Sequence, residues 1–166
     1  MKILLAIDGS TCSDAAVEGV ARRPWPEGTL VKVLTAWETP MAPTPEGWAL
    51  PANYFKEMDA ALRKQGENIV NRAIQKLKAN KALLVDAVLT PGSPRPVILD
   101  EAESWGADLI VLGSHGYGRW KRLLLGSVSQ AVVSHAKCSV EVVRCAPPKE
   151  TPENRSPNNR KSRDVE

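Results

Sequence analysis

Ala107-Asp108-Leu109-Ile110-Val111-Leu112-Gly113-Ser114-His115-Gly116 is the stretch on which the fold turns. The aliphatic run Leu109 to Leu112 offers no polar face, as a strand buried on both sides requires. Glycine cuts the run off at Gly113 and recurs at Gly116, so the chain leaves the strand through a loop that permits close backbone approach. Further on, Gly126-Ser127 opens a segment predicted to be helical to His135. The free N–H groups of such a helix start favour an anion.

The same design appears at the other end of the chain. Ile3 to Ile7 is a continuous apolar run ended by Asp8-Gly9-Ser10, and a helix is predicted from Ser13. Asp14 lies in its first turn, Arg22 and Arg23 near its end, and Pro24 stops it. Leu30 to Leu34 reads as a second strand. Pro40, Pro43, Pro45 and Pro51 mark a long loop at 38–51. Phe55, Met58, Leu62, Ile69, Ala73 and Leu77 then recur at mostly three- and four-residue steps, the pattern of a long amphipathic helix that Gly66 should weaken. Leu83 to Leu89 is a third strand. Ser93-Pro94 starts a helix with a capping hydroxyl and a proline at its first position, ending near Gly106. Val140 to Val143 is the last strand. The order β-α-β-α-β-α-β-α-β predicts an α/β fold with an open parallel sheet covered by helices on both faces. No internal repeat is visible.

Composition narrows the function classes. The chain has 166 residues, one domain by the usual prior of roughly 150 residues per domain. It is 43% hydrophobic and 25% charged, which is ordinary globular usage. With 22 Lys and Arg against 19 Asp and Glu, the net charge of +3 does not single out nucleic acid as a partner. No apolar run reaches the length of a membrane span, and the short opening run lacks the form of a signal peptide. The expectation is therefore a cytoplasmic protein with no nucleic-acid and no membrane partner. Residues 147–166 carry four prolines, nine charged residues and one aliphatic residue, Val165. They read as a disordered polar tail after a domain at 1–146. Cys12, Cys138 and Cys145 show no Cys-x-x-Cys spacing, so three reduced thiols are expected, with neither a disulfide framework nor a zinc site.

In an open parallel sheet, ligands bind where the carboxyl ends of strands meet a reversal of strand order. A carboxylate at Asp8 and a glycine-rich anion nest from Gly113 to Ser127 suggest a nucleotide held at base or ribose by one and at phosphates by the other. Neither Gly-x-x-x-x-Gly-Lys-Ser/Thr nor Gly-x-Gly-x-x-Gly after the first strand is present. Asp8 also suits a turn or helix cap. His115 has no catalytic partner at motif spacing. Arg119, Lys121 and Arg122 form a basic cluster that serves equally as phosphate screen or solvated face. Trp25, Trp37, Trp48, Trp105 and Trp120 follow no stacking pattern and read as packing residues.

These residues resemble the universal stress protein family. Ile3-Leu4-Leu5-Ala6-Ile7-Asp8-Gly9-Ser10 with Ser13 and Ala16 looks like its start. Ala107 through Gly116 and Leu125-Gly126-Ser127-Val128-Ser129 look like its ATP-binding segment, Gly-x2-Gly-x9-Gly-Ser/Thr. Gly113, Gly116, Gly126 and Ser127 meet that spacing in full. The resemblance spans about residues 1 to 145 and is outline only at 38 to 80. It implies strand order 3-2-1-4-5 in a Rossmann-like sheet. It places Asp8 on the ribose or adenine side and Ala36 as a backbone partner of adenine, with Gly9 and Ser10 counted among the nucleotide-binding residues. Gly113 and Gly116 would line the ribose and α-phosphate, and Leu112 and His115 are counted with them as nucleotide-binding. Gly126, Ser127, Val128 and Ser129 would hold the outer phosphates. Where many members carry proline before the last strand, this chain reads Lys137-Cys138-Ser139.

The resemblance implies an ATP-binding stress-response or signalling module, with ATP, ADP or AMP as ligand and little turnover. A magnesium or manganese ion bridging the phosphates with Ser127 or water is compatible with it, although the sequence assigns no metal ligands. The competing class is an adenine-nucleotide enzyme, a slow ATPase or nucleotidyltransferase. Such enzymes show Ser-Gly-Gly-x-Asp-Ser or His-x-Gly-His, and this chain has neither. A phospho-receiver domain wants further acidic residues that are missing here. A stress-protein homologue that binds no nucleotide and works through partner contacts is the remaining alternative. A homodimer is expected through the last strand, Ser139 to Arg144, whose valine-rich edge must be covered, charged or paired.

Overall fold

Ile3, Leu4 and Leu5 are wholly inaccessible to solvent, as their unbroken apolar run demands, because the strand they form is the centre of the sheet. A computed structural model of the chain describes residues 1–38, 53–116 and 125–145. The proline-rich stretch from Pro40 to Pro51, Trp48, the cluster Arg119, Lys121 and Arg122 with Trp120, and the polar tail lie outside the described residues.

The elements are β1 (Lys2–Ala6), α1 (Thr11–Arg22), β2 (Thr29–Trp37), α2 (Tyr54–Leu77), β3 (Leu83–Pro91), α3 (Pro94–Trp105), β4 (Leu109–Gly113), α4 (Ser127–His135) and β5 (Ser139–Val143). Five parallel strands lie in the order β3-β2-β1-β4-β5. Successive side chains of a strand face opposite ways. Ile3, Leu5 and Ile7 accordingly pack with Ala16, Val17 and Val20 of α1 and with Ile69, Ala73 and Leu77 of α2. Leu4, Ala6 and Leu34 pack on the other face with Ile98 and Ala102 of α3 and Val132 of α4. Burying each such aliphatic side chain contributes about 1.5–3 kcal/mol, so the two faces together supply most of the driving force.

Several local expectations need correction. Helix α1 starts at Thr11, and Ser10 caps it by accepting the Ser13 N–H at 3.3 Å. Ser93 stands at the N-cap of α3 with extended backbone, but its hydroxyl makes no capping bond. Strand β2 runs on past Leu34 to Trp37 because the polar residue that follows is satisfied. Thr35 is buried and its hydroxyl donates to the Ile7 carbonyl at 3.1 Å. Gly66 lets α2 approach the sheet. A Cβ there would lie 3.2 Å from Leu89 Cδ2 and 3.4 Å from Thr35 Cγ2.

The expectation of three reduced thiols is overturned. Cys12 and Cys145 are joined by a disulfide, with Cα atoms 4.6 Å apart and a sequence separation of 133. Cys138 is free. Local spacing carries no sign of the pairing, which arises because strand order brings the end of β5 beside the start of α1. The edge strand is tied to the far end of the same helix by the Arg23 guanidinium, which binds both carboxylate oxygens of Glu141. That hydrogen bonding holds the Glu141 carboxyl below its ordinary range.

The tightest backbone approach is between β4 and α1. A Cβ on Gly113 would lie 2.7 Å from the Cys12 carbonyl carbon and 2.8 Å from the Ser13 nitrogen. Both are backbone atoms, so nothing flexible can yield. Gly113→Ala should lower stability by about 1–3 kcal/mol in urea unfolding. Gly19→Ala, in the middle of α1 with nothing nearer than 4.0 Å to the new carbon, should be neutral or stabilising by about 0.5–1 kcal/mol. Equal effects of the two substitutions would contradict the packing account.

Candidate functional site

The chain leaves β1 towards β2 on one side, while β4 lies on its other side, so the strand order reverses at the carboxyl ends of β1 and β4. A crevice is expected there. A cavity of about 700 Å³ occupies it, within the usual range for small-molecule sites. Leu34 and Ala36 of β2, Leu112 of β4, and Pro94 and Ile98 of α3 give it an apolar wall. Asp8, Ser127, Ser129 and His115 bring polar groups to the same cavity.

Asp8 has two employments. One carboxylate oxygen accepts the Ser10 N–H at 2.9 Å, which is the turn role its residue type suits. The other, Oδ2, faces Gly116, where a Cβ would lie only 2.6 Å away. His115 Nδ1 is 3.2 Å from the Ser114 hydroxyl. Its Nε2 is buried and has no hydrogen-bond partner among the described residues. A buried polar atom left unpaired is costly, and this one belongs to a residue on the cavity wall.

Helix α4 supplies donors. Gly126 stands at its N-cap, so no side chain caps the first turn. The first intrahelical bond is made by Gln130 to the Gly126 carbonyl, at 2.9 Å. The N–H groups of Ser127, Val128 and Ser129 precede it and are the open anion-attracting end of the helix. Ser129 does not compete for them. Its hydroxyl donates to the Ser114 carbonyl at 3.0 Å and the Gly126 carbonyl at 2.9 Å. The Gly126 N–H also donates to the Ser114 carbonyl, at 2.8 Å, which fastens the helix start to the end of β4.

The structure thus gathers Asp8, Ala36, Leu112, Gly113, His115 and Gly116 around one cavity with Gly126, Ser127, Val128 and Ser129. Gly9 and Ser10 are not on its lining. Gly9 has φ of 84° and donates to the Ser13 hydroxyl. The Ser10 hydroxyl, besides capping α1, donates to the His115 carbonyl at 3.2 Å. Sequence reasoning missed Pro94 and Ile98, whose only signal was a helix start after the third strand. Neither Gly116 nor Gly126 has positive φ, so close approach, not left-handed backbone, is what requires glycine there. Among the described residues no group of three or more His, Cys, Asp or Glu could hold a metal, and no helix is long and apolar enough to cross a membrane.

Fold and site together define an open parallel α/β sheet with a ligand crevice at its topological switch point. The Universal stress protein family profile matches residues 1–144. The chain belongs to the universal stress protein family. It is 30% identical over 146 residues to Universal stress protein YxiE of Bacillus subtilis, covering 86% of this chain and 98% of that protein. It is 34% identical over 142 residues to a Thermus aquaticus universal stress protein, covering 86% and 97%. Among solved structures, universal stress protein UspA from Lactobacillus plantarum superposes with a TM-score of 0.70 at 25% identity, covering 87% of this chain and 97% of that one. A family member from Arabidopsis thaliana with AMP bound gives 0.65 at 19% identity, covering 93% and 97%. A universal stress protein in complex with cAMP gives 0.57 at 23%, covering 86% and 95%. The last two likenesses establish the fold.

Ser129 is the joint between helix start and strand end. Ser129→Ala should lower stability by about 1 kcal/mol in urea unfolding, since the Ser114 carbonyl keeps its bond from Gly126. A loss of several times that size would mean that the Ser129 hydroxyl alone fixes α4.

Proposed function

We propose that this chain binds an adenine nucleotide, ATP or else ADP or AMP, and acts as a cytoplasmic nucleotide-dependent stress-response or signalling module with little turnover. The observation that carries the reading is the open N-terminus of α4 beside Gly113 and Gly116, across one cavity from a carboxylate and an apolar wall. Adenine suits the wall of Leu34, Ala36, Pro94 and Ile98. Ribose hydroxyls suit Asp8 Oδ2, and phosphates suit the first-turn N–H groups of α4. Relatives of the same fold with AMP and cAMP bound support the ligand class.

Phosphoryl transfer needs an oriented nucleophile and organised metal ligands. The described residues bring no acidic cluster to the cavity, so a magnesium or manganese ion would arrive with the phosphates, with the Ser127 hydroxyl at hand. Calorimetry should give a micromolar or tighter Kd for ATP, and hydrolysis should stay far below about 1 per second, the lower end of ordinary enzymes. Gly126→Val should abolish binding in a folded protein, because its new carbon would press on the Ser114 carbonyl at 3.2 Å. Gly116→Val should do the same by displacing the Asp8 carboxylate. Unchanged affinity in both folded variants would put the phosphates elsewhere. Turnover at or above that rate would move the protein into the enzyme class.

We also propose that β5 pairs with its counterpart in a second copy. It is an edge of the sheet, and Val140, Val142 and Val143 remain half-buried there. Antiparallel pairing across a two-fold axis would satisfy its free backbone groups. Light scattering after size exclusion should give a dimer mass, and Val142→Pro, which removes a ladder donor, should give a folded monomer. A dimer indifferent to that change would place the interface on another surface.

A further inference from the structure

We infer that Cys12 and Cys145 are a reversible dithiol that clamps the phosphate loop when a hydroperoxide oxidises it. Both ends of the disulfide stand one step from the Gly113–Gly116 loop. On the α1 side, the Ser114 hydroxyl lies 3.8 Å from Cys12 Sγ, and Ser10, two residues earlier, holds the His115 carbonyl. Gly113 packs directly against the backbone of Cys12 and Ser13. On the β5 side, Val143, two residues before Cys145, accepts the Ser114 N–H at 2.8 Å. The bond therefore closes a ring around Ser114 that runs through the first turn of α1 and the last residues of β5. Opening it leaves the end of β5 attached to the loop through the β4–β5 pairing at Gly113 and Val143 and the Ser114 N–H bond.

The two thiols differ in a way that suits the chemistry. Cys145 is half-buried, and so the easier of the two for a small oxidant to reach, whereas Cys12 is 4% exposed. Cys12 is the second residue of α1, where the helix N-terminus favours thiolate. Peroxide transfers one oxygen to the Cys145 thiolate, giving a sulfenic acid and hydroxide. The Cys12 thiolate then attacks that sulfur and expels a second hydroxide. The sum is two thiols and one hydroperoxide to one disulfide and two waters (or one water and one alcohol), a two-electron oxidation. A thiol such as glutathione reverses it by exchange. Cys138 is a poor competitor, because burial pushes its thiol up from the ordinary value. In a reducing compartment a disulfide is usually transient and redox-sensing, which is the behaviour assigned here.

Clamping the loop in its binding form should tighten nucleotide affinity about three- to tenfold, the gain from ordering one or two side chains in advance. That consequence rests on the proposed nucleotide reading, but the clamp does not. The test uses the full chain. Hydrogen peroxide should remove two hydrogen atoms in mass and protect Cys12 and Cys145, but not Cys138, from alkylation. A cytosolic-type glutathione buffer should reverse this. Amide exchange at Gly113–Gly116 without ligand should be slower in the oxidised protein, and Cys145→Ser should abolish the difference while Cys138→Ser keeps it. ATP titration of both redox forms then reads the coupling. A disulfide that glutathione cannot reduce would make the pair a permanent staple and overturn the inference. So would identical loop exchange in the two forms. Absence of ATP binding in both forms, with the exchange difference intact, would instead overturn the nucleotide reading alone.

Discussion

The contact on which the rest of the structure depends is the seating of the end of β4 against the first turn of α1. Gly113 meets the backbone of Cys12 and Ser13 at a distance no side chain tolerates. That approach fixes where β4 stops, and so where the following loop begins. It also places Ser114, whose carbonyl receives both the Gly126 N–H and the Ser129 hydroxyl. The position of α4, and with it the open helix N-terminus it brings to the cavity wall, is inherited from this one contact.

The sheet supplies the rigidity that makes the contact useful. β1 lies between β2 and β4, with apolar side chains locked into cores on both faces. Close-packed interiors deform little, so the strand ends are held firmly while the loops beyond them carry the polar groups. Asp8, Ala36 and Leu112 follow or end three adjacent strands and converge for that reason. The floor of the cavity is apolar because it is the upper layer of the core that contains Leu34 and Ile98. A site with one greasy wall and one anion-attracting end follows from strand order and glycine placement alone.

The sequence showed the parts that local physics dictates. The buried runs of β1 and β4, the start of α3 at Pro94 and the extent of α4 are each legible from a handful of residues. Family resemblance added strand order, and the glycine spacing added the anion end of the site. Long-range effects stayed hidden. The extra length of β2 depends on Thr35 finding the Ile7 carbonyl across the sheet. Gly66 looked like a weak point of α2 and is in fact a point of close approach to β2 and β3. Ser10 looked like a ligand residue, but its hydroxyl is occupied by the helix cap and by His115. The Cys12–Cys145 disulfide spans 133 residues, and nothing in the spacing of three cysteines announces it.

The central claim is that an adenine nucleotide lies across the ends of β1, β2 and β4 with its phosphates on α4. Backbone amide shifts of isotopically labelled protein, followed by NMR as ATP is added, test it most directly. The account predicts saturable changes concentrated at Asp8, Ala36, Gly113 to Gly116 and Ser127 to Ser129. Saturable changes confined to the opposite ends of the strands, around Gly28 and Gly106, or no changes at millimolar ATP, would contradict it.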